Sequence, residues 1–395
     1  MMDVFVARVY AGGGAKDIDP DIINATAIEL KKGLKKGYKK DFKDLDVDSP
    51  DFEMLANLEN NVYQFATAKN YQDMRLLTDA LTNEAGELLS FTEFRDVAET
   101  QFLKFNEDWL ESEYSTAISG SMNAARWTDY TKNAKAMPFL RYSTAGDSLV
   151  RDSHAALDGT VKRIDDNFWE NYYPPNGWRC RCTTSQTGGS TETPDGAIVY
   201  PEVQPMFRTN LAKQGLMFPK NHPYYNEVPK EVLRRAMAYL PPANTYRTIR
   251  VNGAVIDEHA LLQSERVDIR DKNRTIAASL KKGGYKDVKL LPQINAKDKA
   301  ARLAHYGDYA ENELTKCPDA LVNGKIVEFK TASKRNMAQR VAEASAKANI
   351  CVIKPSFDAT DAYIERFSKG QFIANENLQE LVIVRSKDIK VQKRN

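Results

Sequence analysis

A multidomain protein is predicted: a mainly α N-terminal region, a loop-rich segment, and then an α/β domain. Three observations carry this. Apolar residues recur at helical spacing over about the first third of the chain. Short aromatic segments broken by Pro and Gly follow, and beyond residue 245 helix-type and strand-type runs alternate. The expected boundaries are 1–140, 141–228, a linker at 229–245 marked by Pro229 and Pro241-Pro242, and 246–395.

In order along the chain, Asp19-Pro20-Asp21 has the form of an N-cap, a proline at the first helical position and an acid favoured by the helix dipole. Ile22, Ile23, Ala27, Ile28 and Leu30 then give a short amphipathic helix. Leu55, Leu58, Val62 and Phe65 recur at helical spacing. So do Phe94, Val97, Phe105 and Trp109, a run continuing into Tyr114, Ala117, Ile118 and Ser121. These stripes read as core or subunit interface. The segment from 142 to 225 lacks long amphipathic elements and carries Pro174-Pro175-Asn176-Gly177 and Gly188-Gly189-Ser190, so a metal would help to hold it. Further on, residues 272–282 suit a helix closed by Gly283-Gly284, and 287–292 a strand. Strands are expected at 320–322, 326–329, 350–353 and 380–384, with helices at 337–348 and 362–367.

Composition sets limits on class. With 395 residues, 42% hydrophobic and 28% charged, the balance is that of a soluble globular protein. No basic, apolar leader and no apolar run of about 20 residues is present, so neither secretion nor a membrane anchor is expected. Four cysteines in a chain this long make no disulfide framework, and a reducing compartment of synthesis fits. The net charge of +2 hides an asymmetry: residues 245–395 hold 28 Lys+Arg against 19 Asp+Glu (+9), leaving 28 against 35 (−7) for the remainder. The basic third suits a polyanion, because neutralised phosphates release counterions; a solvated basic surface is the alternative.

That basic third also holds Pro318-Asp319 and, eight residues on, Glu328-Phe329-Lys330 within the β-type run Lys325-Ile326-Val327-Glu328-Phe329-Lys330. This is the PD-(D/E)xK spacing of metal-dependent nucleases. Phosphodiester cleavage of this type needs a hard cation, Mg²⁺ or Mn²⁺, that polarises the phosphate and acidifies a bound water. Asp319 and Glu328 are the expected ligands. Residues two apart in a strand face one way, so Lys330 would stand beside Glu328 while Phe329 enters the core. Glu311 and Glu313 are weaker candidates for the metal shell, and Gln339 on the following helix for the catalytic site. Lys334, Arg335 and Arg340 are candidate phosphate-backbone contacts.

A second constellation lies in the loop-rich segment. Of four histidines, His154 precedes and His222 follows Cys180-Arg181-Cys182. Two thiolates and two imidazoles could complete the tetrahedral shell of a structural Zn²⁺. Buried thiols with hydrogen-bonded histidines are the bland alternative. A cysteine nucleophile paired with His154 lacks an orienting partner.

Two family resemblances follow from quoted residues. Gly284-Tyr285-Lys286-Asp287-Val288-Lys289-Leu290-Leu291-Pro292, Pro318-Asp319, Asn323-Gly324-Lys325 and Glu328-Phe329-Lys330 resemble the C-terminal toxin domain of CdiA-type contact-dependent inhibition proteins. Over about residues 250–395, that resemblance implies a metal-dependent tRNA nuclease; an immunity protein that protects the producing cell is a candidate partner, which the sequence does not decide. Residues 106–127, Arg151-Asp152-Ser153-His154, Leu157-Asp158-Gly159-Thr160, Asp166-Asn167-Phe168-Trp169, Pro174 to Cys182 and Phe218-Pro219-Lys220-Asn221-His222-Pro223-Tyr224 are similar to the phage Mu protein F type of minor head protein. That second resemblance covers about residues 50–225. It implies a minor capsid protein of head morphogenesis near the portal, made in a bacterial cytoplasm and ending in the virion, with portal and other capsid proteins as partners. The combined expectation is a head protein carrying a nuclease. The alternatives are a purely structural protein whose basic C-terminal domain binds DNA or the portal without cutting, and a DNA endonuclease used in packaging.

Overall fold

The computed structural model describes residues 2–12, 18–105 and 109–394, so Asn106, Glu107 and Asp108 of the quoted head-protein run lie outside the described residues. The chain divides into two compact units, residues 1–41 with 50–237 and residues 42–49 with 238–395. The helical region and the loop-rich segment therefore share one unit. The stretch expected as a linker is largely helical, because Pro229 and Pro241-Pro242 stand at helix starts, where a missing N–H costs nothing.

In the first unit, α1 (Met2–Ala11), α2 (Pro20–Tyr38), α3 (Pro50–Asp79), α4 (Phe91–Leu103) and α5 (Trp109–Asn133) come first. The run from Phe94 to Ser121 is thus two helices, and Val97 is exposed on α4. Asp19 caps α2 by accepting from the N–H groups of Asp21 and Ile22, and Lys39 closes it in the left-handed conformation. Ile22 of α2 joins Val6, Val9, Met74, Leu77, Phe94 and Ala98 in one buried cluster.

Helix α2 lies close against α5 because Gly33 and Gly37 leave room. A Cβ built on Gly33 would sit 3.0 Å from the Ala117 Cβ. On Gly37 it would sit 2.1 Å from Ser121 Oγ and 2.2 Å from the Ile118 carbonyl oxygen. Backbone, not a flexible side-chain end, meets it at Gly37, so the helices would have to move apart.

The loop-rich part adds β1 (Phe139–Ser143), α6 (Asp152–Ala155), β2 (Val161–Arg163), α7 (Phe168–Tyr172) and β3 (Thr183–Thr187). Its three strands form an antiparallel sheet in the order β2-β1-β3. Beyond β3 the first unit has 3-10 turns at Asp195–Ala197, Pro205–Phe207 and Pro223–Tyr225 in place of strands, and single side chains organise the chain between them. Asn61 on α3 accepts from the N–H groups of Met217 and Phe218 and donates to the Phe218 carbonyl, and Phe65 stacks on Phe218 at 3.9 Å.

At the junction of the units are α8 (Lys230–Tyr239) and α9 (Pro242–Thr245). The second unit continues with β4 (Tyr246–Val251), β5 (Ala254–His259), α10 (Val267–Lys282), β6 (Val288–Leu290), α11 (Lys299–Tyr306), α12 (Tyr309–Asn312), β7 (Ala320–Val322), β8 (Lys325–Ala332), α13 (Met337–Ser345), β9 (Ile350–Pro355), α14 (Asp361–Ala374), β10 (Glu380–Val384) and β11 (Ile389–Lys393). Eight strands form one mixed sheet in the order β11-β10-β9-β8-β7-β6-β5-β4, with β8, β9 and β10 parallel. Two hairpins turn on Asn-Gly pairs, Asn252-Gly253 and Asn323-Gly324. All four residues have positive φ, which Asn and Gly adopt more readily than other residues. Ala332, Cys351, Ile353, Leu381 and Ile383 of the sheet pack on Met337, Val341 and Ala344 of α13 and Ile364 of α14. No helix among the described residues is long and apolar enough to cross a membrane.

Gly37→Ala is expected to destabilise the protein by about 1–3 kcal/mol through overpacking, against a helix-propensity gain of about 1 kcal/mol. Gly370→Ala on α14, where a Cβ meets nothing within 4 Å, should be neutral or stabilising. Urea unfolding followed by circular dichroism separates the two.

Candidate functional site

The β7–β8 hairpin explains the spacing of the two acids. Ala320 pairs with Val327 around the Asn323-Gly324 turn, so one step further Asp319 stands opposite Glu328. Opposed residues of an antiparallel pair project to the same face. Asp319 Oδ2 accepts from the Phe329 N–H at 2.8 Å, and Oδ1 accepts from Asn273 on α10 at 3.2 Å. The approach to Asp319 is held by Arg302. This arginine, 1% exposed, donates to the carbonyls of Ile294, Glu313 and Lys316.

Glu328 is fully buried. One oxygen, Oε1, accepts from Lys330 Nζ at 2.5 Å and lies 2.8 Å from Lys347 Nζ. The other, Oε2, is buried without a hydrogen-bond partner among the described residues. Burial and the charge of Glu328 push the Asp319 carboxyl up to about 6. Burial and the charges of Asp319 and Glu258 push Glu265, just before α10, up to about 7. An orphaned carboxylate oxygen beside a second, reluctant carboxyl is a donor set that fits a hard divalent cation. Mg²⁺ commonly takes one or two carboxylates and keeps waters for the rest.

Gln339 is on exposed α13 surface and donates to Glu343, whose carboxylate is also stabilised by Arg340 and, more weakly, by Lys330. Arg340 is bound to Glu343 at 2.7 Å. Lys334 and Arg335 are exposed in the turn between β8 and α13, with Lys334 over the Tyr363 ring. Glu313 pairs with Lys316, and Glu311 is exposed. Among the described residues, no third His, Cys, Asp or Glu stands within 4.8 Å of both Asp319 and Glu328 as a ligand set, so Glu311 and Glu313 do not complete the shell.

Sequence reasoning missed Lys347 and Glu265. Lys347 follows α13 and reaches Glu328 only because α13 folds back over β8, which no local pattern announces. Glu265 lies in an irregular turn whose approach to Asp319 depends on the sheet order.

In the first unit, His154, Cys180 and Cys182 come together. All are buried, and His154 Nδ1 lies 3.7 Å from Cys180 Sγ and 3.5 Å from Cys182 Sγ. His222 is not part of this group, which corrects the four-ligand expectation. Its Nδ1 accepts from the Tyr224 N–H, and its ring packs among Phe65, Trp178 and Tyr224. Burial, then Lys69, pushes its pKa down to about 4. It serves as a neutral core aromatic that caps the turn Pro223–Tyr225. Nearby, Lys69 and Glu113 form a buried ion pair at 2.6 Å, with Tyr224 Oη donating to the same carboxylate.

The raised Asp319 pKa has a signed consequence. Its folded-state value, about 6, lies above the ordinary 3.8, so stability falls as pH rises between these values. In chelator, Asp319→Asn keeps an acceptor for the Phe329 N–H and is predicted to stabilise the protein at neutral pH by about 1–3 kcal/mol, with little effect near pH 4. Urea titrations at the two pH values measure it; equal effects at both would contradict it.

Comparison with known proteins bears on the first unit. Residues 55–185 match the family model described as Phage Mu protein F like protein. The Mu-like prophage FluMu F protein of Haemophilus influenzae is 45% identical over 60 residues, 15% of this chain and 14% of that protein. The Putative capsid assembly protein F of Escherichia phage Mu is 36% identical over 73 residues, 18% of this chain and 17% of that protein. The matched stretches thus span less than a fifth of these curated relatives. No solved structure matches the chain. The family match takes in α3, α5, α6 and the Cys180-Arg181-Cys182 segment, and so identifies the middle of the first unit as similar to phage Mu protein F.

Proposed function

We propose that the protein is a phage head component whose second unit is a metal-dependent endonuclease. Support for the head role is the match of residues 55–185 and the two F-protein relatives, one of them named for capsid assembly. Contacts with portal and other capsid proteins, and a place in the virion, belong to this proposal. So do delivery of the nuclease with the genome and protection of the producing cell by an immunity protein.

The nuclease reading is carried by one observation: Glu328, fully buried, has one oxygen without a hydrogen-bond partner among the described residues while Lys330 and Asp319 share its face. Asp319 and Glu328 would hold Mg²⁺ or Mn²⁺, which supplies phosphate polarisation and a more acidic bound water. Lys330 places an ammonium on the same face, suited to charge developing on phosphate oxygens. Exposed Lys334 and Arg335 can hold the backbone of the nucleic acid. tRNA is the proposed substrate on resemblance, with duplex DNA as the comparison.

A second reading has its own observation. Lys330 and Lys347 together neutralise Glu328, as a purely structural buried ion group would. The basic second unit would then bind nucleic acid or the portal without cutting.

Full-length protein incubated with total tRNA and with plasmid DNA distinguishes these. Cleavage is expected with Mg²⁺, absent with chelator, and reduced about 10²–10⁴-fold by Lys330→Ala. Binding of both nucleic acids by wild type and variant without cleavage by either would favour the structural reading.

A further inference from the structure

Three ligands on two short elements of the first unit make a site independent of the nuclease. His154 lies in the single turn of α6, and the segment Cys180-Arg181-Cys182 leads directly into β3. A tetrahedral zinc with ordinary bond lengths places imidazole nitrogen and thiolate sulfur about 3.6 Å apart. The distances from His154 Nδ1 are 3.7 and 3.5 Å.

The surroundings keep these atoms in place. The Cys-x-Cys spacing works because an extended segment sends alternate side chains to one side. Both sulfurs point inward, while Arg181 between them reaches out to Asp147 through two contacts of 2.6 Å. Arg179 adopts a left-handed φ of 57°, and its N–H and guanidinium fasten the segment to Thr116, Ser112 and Glu111 on α5. The Asn176 N–H faces Cys180, and the Tyr142 hydroxyl lies beside Cys182 while donating to Asn176 Oδ1. The Asn176 N–H is an outer donor of the kind that orients and stabilises a metal-bound thiolate. Two thiolates and a neutral imidazole also cancel the charge of a divalent ion, which suits a site with all three side chains at most 5% exposed.

We propose that His154 Nδ1, Cys180 Sγ and Cys182 Sγ bind one zinc ion, with a fourth, non-protein ligand, and that this ion cross-links the loop-rich part of the first unit. The cross-link joins residues 26 and 28 positions apart, across a segment whose regular elements are the short β2 and α7. His222 takes no part.

The test uses the full-length protein, purified without chelator, and its metal content by mass spectrometry. About one zinc per chain is expected, retained in His222→Ala and falling at least tenfold in Cys180→Ser and His154→Ala. Should those variants fail to fold, titration of wild type with a mercurial serves instead. Two thiols should react as the zinc is released, and cobalt in its place should show a thiolate-to-metal charge-transfer band. Release should also open residues 141–228 to protease. Wild type without stoichiometric metal, a Cys180–Cys182 disulfide, or loss of zinc from folded His222→Ala would overturn the proposal.

Discussion

Glu328 puts a carboxylate at zero exposure on β8, the fourth strand from the β11 edge of an eight-stranded sheet, and the second unit is arranged around that charge. An isolated carboxylate there would carry a desolvation cost of several kcal/mol, offset only by close, well-oriented cations. Lys330 comes from the same strand and Lys347 from the end of α13, so the helix and the strand are tied through one oxygen. The opposing acid arrives by hairpin register, and Arg302 fixes the loop that delivers it. At the far side of the sheet, Arg247 on β4 and Arg274 on α10 both grip buried Glu258 on β5, which sets the helix that supplies Asn273 to Asp319.

Leaving a second oxygen of Glu328 without a partner is costly unless something occupies that position in use. Perturbed carboxyls cluster in the same place, Asp319 near 6 and Glu265 near 7. Such clusters are characteristic of sites that bind cations or move protons. The first unit solves a different problem. Its helices are brought close by glycines at 33 and 37, and its long irregular tail is organised by side chains such as Asn61 rather than by regular ladders.

Much of this was legible in sequence because the physics is local. The N-cap of α2, the strand at 320–322, the run around Glu328 and the α13 stripe of Met337, Val341 and Ala344 follow from spacing alone. The Asp319–Glu328 opposition could also be read, since Asn323-Gly324 lies midway between the two acids. The β4–β5 hairpin carried the same Asn-Gly signal at 252–253 and was missed, as was edge strand β11. What sequence could not supply were non-local approaches: Lys347 to Glu328, Glu265 to Asp319, Lys69 to Glu113. The fate of His222 belongs with them, because proximity along the chain to Cys180 says nothing about which ring packs on Phe65 and Tyr224.

The central claim is that the face shared by Asp319 and Glu328 receives a divalent cation. Mn²⁺ binding followed by electron paramagnetic resonance tests it directly, comparing wild type with Glu328→Gln at neutral pH. The account predicts a saturable site in wild type, displaced by Mg²⁺ and lost in a variant that remains folded. Equal Mn²⁺ binding by both proteins, or none by wild type, would contradict it and leave Glu328 as a structural charge.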